Sequence, residues 1–186
     1  MRKSIALLLL IPLLSFGLVN LKKRKLTDGV TMLLPESFVV MTEQEIDDAA
    51  LTYRQPLVMF KDIRTVGNLA LNVSATQWTN ADIGMLKDFY KSTILGIHSE
   101  VVFQQETTRQ IGEYQFAVFE FASSVKPVRT MIEDKGAIKK YNYIQYTVVN
   151  GKVMIFSFSC PFAYRSQWQK DIKQMMDSVV VKSSFK

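Results

Sequence analysis

YNYIQYTVVNGKVMIFSFSC, residues 141–160, decides the fold. Two runs rich in β-branched and aromatic residues, Tyr141–Val149 and Lys152–Cys160, flank Asn150-Gly151. Asn-Gly is the preferred pair for a type I′ turn, because both central residues need positive φ. The stretch therefore reads as an antiparallel hairpin. Met154, Phe156, Phe158 and Cys160 share one face of the return strand, while Val153 and Ile155 begin the other. A strand apolar on both faces belongs in the middle of a sheet with cover on each side.

Working outward, Pro161 ends this strand and a helix follows from about Tyr164 to Ser178, with Trp168, Ile172, Met175 and Val179 as its apolar stripe and Met176 beside it. Val179–Phe185 closes the chain as a short strand or tail. Upstream, residues 125–140 carry Pro127, Gly136 and a mixed set of charges, and read as a long exposed loop. Val101–Arg109 and Tyr114–Ser123 are strands around Gly112. A helix capped by Asn80 precedes them, with Ile83, Leu86, Tyr90, Ile94 and Ile97 recurring at three- and four-residue spacing. Leu57–Lys61 and Leu69–Ala75 read as strands. Thr42 with Glu45 three residues on forms a capping-box pattern for a short helix through about Leu51. Val30–Leu34 and Phe38–Met41 are short apolar runs separated by Pro35-Glu36-Ser37. Hairpin-joined strands with two amphipathic helices predict an α+β domain, a single antiparallel β-sheet flanked by helices.

The first 25 residues read differently. Arg2 and Lys3 precede an apolar run from Ile5, and Ser15-Phe16-Gly17 offers a cleavage pattern after Gly17. Lys22-Lys23-Arg24-Lys25 follows at once, and positive charge there resists translocation, which leaves an uncleaved membrane anchor open. The expected organisation is residues 1–25 as signal peptide or N-terminal anchor with a basic flank, and residues 26–186 as one domain. The expected location is extracytoplasmic: periplasmic, secreted, or tethered through residues 1–25. Six of the 23 basic side chains lie before residue 26, which leaves 17 basic against 17 acidic in the domain. Such a domain lacks the basic footprint of a nucleic-acid binder. Cys160 is the only cysteine, so no intramolecular disulfide forms and the core alone holds the fold.

The search for chemistry finds little. His98 is the only histidine and stands at a helix end, where a cation complements the dipole. A Cys160–His98 nucleophile pair needs contact and an orienting third residue, yet Cys160 ends a run of core-facing side chains. No zinc set, phosphate loop or nucleophile elbow is present, and no cofactor is implied. Glu43, Glu45, Asp47 and Asp48 lack calcium-loop spacing and suit a helix N-terminus. Asn72-Val73-Ser74 is a glycosylation sequon inside an expected strand. Tyr141 and Tyr143 share a strand face beside the charged loop with Arg129 and Lys135, and these four residues are the sequence's candidate contact surface for a protein partner.

Pro35-Glu36-Ser37-Phe38 after a first short strand, the element order that follows, and the ending Val181-Lys182-Ser183-Ser184-Phe185 together resemble the PsbP-like superfamily. The resemblance runs over about residues 28–185. It implies an α/β/α sandwich and an accessory or binding role, and it carries no functional residues over. The expected function is thus a non-enzymatic exported or membrane-tethered accessory protein. The alternatives are a carrier of a small apolar ligand, suggested by nine Met and twelve Phe, and a hydrolase using paired carboxylates.

Overall fold

A computed structural model describes residues 20–49, 55–78, 82–125 and 137–185. In chain order the elements are β1 (Leu21–Thr27), β2 (Val30–Pro35), β3 (Phe38–Val40), α1 (Glu43–Ala49), β4 (Val58–Asp62), β5 (Asn68–Gln77), α2 (Ile83–Ile97), β6 (Glu100–Ile111), β7 (Tyr114–Val125), β8 (Ile138–Val149), β9 (Lys152–Pro161), α3 (Arg165–Asp177) and β10 (Val180–Val181). The Asn-Gly hairpin forms as expected, with Asn150 at φ 50° and Gly151 at φ 74°. Asn150 also donates through Nδ2 to the carbonyls of Ser183 and Phe185, at 3.0 and 2.6 Å, and so ties the tail to the turn. The capping box closes reciprocally: the Thr42 N–H donates to Glu45 Oε2 at 3.0 Å, and the Glu45 N–H donates to Thr42 Oγ1 at 3.3 Å. On α2 the cap is Asp82, whose Oδ1 accepts from the Gly84 N–H at 2.8 Å. Asn80, the expected cap, lies outside the described residues, as do the proposed cleavage site and most of the apolar leader.

The sheets are antiparallel, but there are two of them, which corrects the single-sheet expectation. A seven-stranded sheet runs β3-β4-β5-β9-β8-β7-β6, and a three-stranded sheet runs β1-β2-β10. The turn at Glu36-Ser37 carries the chain from one to the other. The small sheet was hidden in the sequence because its first strand contains the basic run. In β1, Lys22 pairs with Glu36 and Lys25 with Asp28, while Leu26 is buried. Paired structure therefore begins at Leu21, ahead of the boundary expected at residue 26. At the other end of the 125–140 stretch, Ile138–Lys140 extends β8, and residues 126–136 lie outside the described set.

Side-chain alternation splits the core into two layers. Phe116 and Val118 of β7, Tyr141 and Tyr143 of β8, and Met154, Phe156, Phe158 and Cys160 of β9 point to one face. There they meet Trp168, Ile172 and Met175 of α3 and Val30, Met32 and Leu34 of β2. Ala117, Phe119, Phe121, Tyr146 and Val153 point to the other face, where α2 places Leu86, Tyr90 and Ile94. Tyr90 stacks on Tyr146 at 3.9 Å between ring centres. The layers are thus α2, the large sheet, and then α3 with the small sheet.

Candidate functional site: a groove at the open edge of the sheet

The two tyrosines among the candidate contact residues do not reach the surface. Tyr141 and Tyr143 are each 0 % exposed, and Arg129 and Lys135 lie outside the described residues. The tyrosines fail as a surface row because β8 sits between β7 and β9 with both faces covered. The Tyr143 hydroxyl is buried without a hydrogen-bond partner among the described residues, whereas that of Tyr141 is satisfied inside. Tyr141 donates to Glu120 Oε1 at 3.1 Å, and Gln169 of α3 donates to the same oxygen at 2.8 Å. Burial, reinforced by the Glu120 charge, pushes the Tyr141 hydroxyl far up, and burial pushes Tyr143 up to about 12. Neither ionises near neutral pH.

The nucleophile pair is not assembled. Cys160 is buried on the α3 face, and burial pushes its thiol up to about 12. His98 packs against Phe121, which points to the α2 face, with ring centres 5.8 Å apart. The sheet lies between them. His98 is at the helix end as expected, capping α2, but the dipole does not hold it charged. Burial first, and then the Lys140 charge, lower its pKa from 6.5. Two of the acids of the 43–48 stretch have structural partners: Glu45 caps α1 and pairs with Lys61, and Asp47 accepts from Gln55 at 2.7 Å. Among the described residues no three His, Cys, Asp or Glu side chains come together to hold a metal.

Open structure appears instead at the β6 edge. This twelve-residue strand ends the large sheet, and among the described residues nothing pairs with its outer side. Next to it, on the α3 face, lies a groove of about 270 Å³. Its floor is Val102 of β6 and Ala122 of β7, which are register partners. Its far wall is built by the end of β9. Pro161 stops the strand, and a 3₁₀ turn over Phe162–Tyr164 brings Phe162 and Arg165, the first residue of α3, over the sheet. Lys139 of β8 and Glu100 of β6 stand at one end, both opposite Ser124 of β7. Val102 is 65 % exposed and Phe162 37 %, which leaves an apolar lining open to solvent. The Arg165 guanidinium lies over the Phe162 ring at 5.8 Å. Its Nε is buried and has no hydrogen-bond partner among the described residues. Neither Arg165 nor the exposed Lys139 has an ion-pair partner among the described residues. The groove therefore presents apolar surface with two cations that have no ion-pair partner among the described residues, and with the Glu100 carboxylate at the Lys139 end. Its residues are scattered from position 100 to 165, and no local pattern in the sequence joins them.

No family model matches the chain, and no curated protein matches it. Solved structures do. The solution structure of cyanobacterial PsbP (CyanoP) from Synechocystis sp. PCC 6803 superposes with a TM-score of 0.59 at 16 % identity, covering 90 % of this chain and 96 % of that one. This chain has the PsbP-like fold. The Saccharomyces cerevisiae Ran-binding protein Mog1p shares it, with a TM-score of 0.55 at 11 % identity over 88 % of this chain and 96 % of the yeast protein. The PsbP-like resemblance read from Pro35-Glu36-Ser37-Phe38 thus holds for the fold. Phe38 is buried there, edge-on to Trp168 at 5.4 Å, so this opening segment locks the crossing between the two sheets onto α3.

Proposed function

We propose that this chain is a non-enzymatic accessory protein of the extracytoplasmic space, kept there by its N-terminal leader, and that its edge groove receives part of a protein partner. The observation that carries this reading is the open apolar lining of Val102 and Phe162 beside Lys139 and Arg165, two cations without an ion-pair partner among the described residues. Exposed apolar surface ringed by polar groups marks contact sites. Two PsbP-like proteins, one of them named as Ran-binding, make a binding role a natural use of this fold. The buried thiol, and a histidine on the opposite face of the sheet, support the non-catalytic side of the reading. The Met and Phe residues that suggested an apolar-ligand carrier are spent largely on packing: Met32, Met154, Met175 and Met176 and seven phenylalanines are fully or almost fully buried between sheets and helices.

A photo-crosslinking amino acid placed at Val102 in the full chain, in its native cell, tests the proposal. A discrete adduct with one other protein is expected, and Phe162→Asp should remove it. The same probe at Lys23, on the small sheet, serves as the control. Adducts at Lys23 but none at Val102 would move the contact surface elsewhere.

A further inference from the structure

We infer that the partner enters as an extended segment, adding a strand to the Glu100–Phe103 end of β6 and extending a glutamate side chain over Val102 to Arg165 and Lys139. The inference rests on the groove being the contact site and specifies the chemistry of what fills it. Three features of this edge define the occupant.

The first is the unpaired edge. β6 is bonded to β7 through Glu100–Phe103, then slips register at Gln104 before pairing resumes at Gln105. A bulge twists and interrupts an edge, which is how sheets discourage pairing along their full length. Past the bulge, the edge is protected by charge as well. Glu106 turns to the α2 face, where Lys91 holds it at 2.7 Å, and Arg109 turns to α3, where Asp177 holds it at 2.7 Å. Before the bulge, Glu100 is the one charged side chain and no ion pair among the described residues ties it down, and the groove adjoins that four-residue stretch. Backbone donors and acceptors there suit strand addition, with the pocket beside them reading alternate side chains.

The second feature is charge. A cation left unpaired in a partly buried groove calls for an anion, and a carboxylate matches the planar guanidinium of Arg165. The buried, unpartnered Nε of Arg165 is the donor that such a group would satisfy.

The third is reach. Strands lie about 4.8 Å apart, so an added strand stands roughly three spacings from β8 and Lys139. A glutamate whose methylenes lie on Val102 carries its carboxylate farther across that gap than an aspartate does, and the long side chains of Arg165 and Lys139 cover the rest.

Fluorescence anisotropy with a labelled blocked peptide, acetyl-Thr-Val-Thr-Glu-Thr-Val-Thr-amide, and the full chain tests this. Saturation below about 1 mM is expected. The Gln and Asp counterparts should bind about tenfold more weakly, the worth of one charge-assisted hydrogen bond. Arg165→Gln should erase the difference between the Glu and Gln peptides, and Lys139→Gln should narrow it, in proteins whose thermal transitions match the parent. A peptide N-methylated on alternate residues should not bind. Equal binding of Glu and Gln peptides overturns the carboxylate; equal binding of the N-methylated peptide overturns strand addition. No binding of the Glu peptide at 1 mM overturns the whole inference, as does a Val102 photo-adduct that proves to be within the chain itself. A Val102 adduct with another protein, alongside peptides that fail, leaves the groove as the contact site and removes only this description of its occupant.

Discussion

At the scale of single residues, two side chains report on the interior. Trp168 is 3 % exposed, lies 5.4 Å from the Phe38 ring and 5.1 Å from the Phe158 ring, and donates from Nε1 to Thr65 Oγ1 at 3.1 Å. Trp168→Ala should therefore cost about 3–5 kcal/mol by urea denaturation; a loss under about 1 kcal/mol would mean the site collapses around the gap. The apolar stripe of the sequence placed this residue correctly, because helical spacing alone decides which face turns inward. His98 shows what spacing does not decide. Its position at the helix end was legible, but its ionisation was not, since that depends on Phe121 and Lys140 arriving from other strands. Burial holds its folded pKa below 6.5, so the unfolded chain takes up a proton first as pH falls. The stability it contributes is complete above about pH 6.5 and is lost as pH drops through the lower folded value. The urea midpoint of the parent should fall between pH 7 and pH 5 more steeply than that of His98→Gln. Parallel slopes would show that His98 is not the titrating group.

At the scale of elements, strands and helices were readable wherever one period ran uninterrupted. The 141–160 hairpin, α2 and α3 all have a clean apolar face, and the structure places each within a few residues of its expected span. β1 is hidden in the sequence because its charges dominate its composition. LKKRKLT looks like the flank of a leader until Glu36 and Asp28 are seen to neutralise two of its lysines and Leu26 to enter the core. These exposed ion pairs add little stability by themselves. The ladder to β2 and the buried Leu26 contribute more. A chain starting at Asp28 should consequently lose at least about 2 kcal/mol against one starting at Asn20, the value of one buried leucine. Its β2 edge, opened by the cut, should also make it prone to association. Equal urea midpoints and equal elution volumes for the two chains would return β1 to the leader. The edge groove was illegible for a different reason. It joins side chains from β6, β7, β8 and the start of α3, so it exists only after the sheet order is known.

For the whole molecule, the decisive fact is that both core layers are built from the same strands. β7, β8 and β9 send alternate side chains to α2 on one face and to α3 with the small sheet on the other. Releasing one face therefore frees the strands that form the wall of the other, and the two layers should unfold together. The two tryptophans divide between these layers. Trp168 is in the α3 layer, while Trp78 packs at the α2 layer, 5.7 Å from the Phe89 ring, with its backbone N–H donating to the Gly151 carbonyl at 2.7 Å. Trp78→Phe and Trp168→Phe each leave one fluorescent reporter, and each conserves an aromatic ring at its site. Within either variant, urea transitions followed by tryptophan fluorescence and by far-ultraviolet circular dichroism should superimpose. A fluorescence transition that precedes the loss of secondary structure in Trp168→Phe, where only Trp78 reports, would show that the α2 layer opens separately. Coincidence in both variants would mean that the sheet transmits the loss of either cover to the other. The groove at β6 would then be borne by a single cooperative unit, rigid enough to present an edge to a partner without first ordering itself.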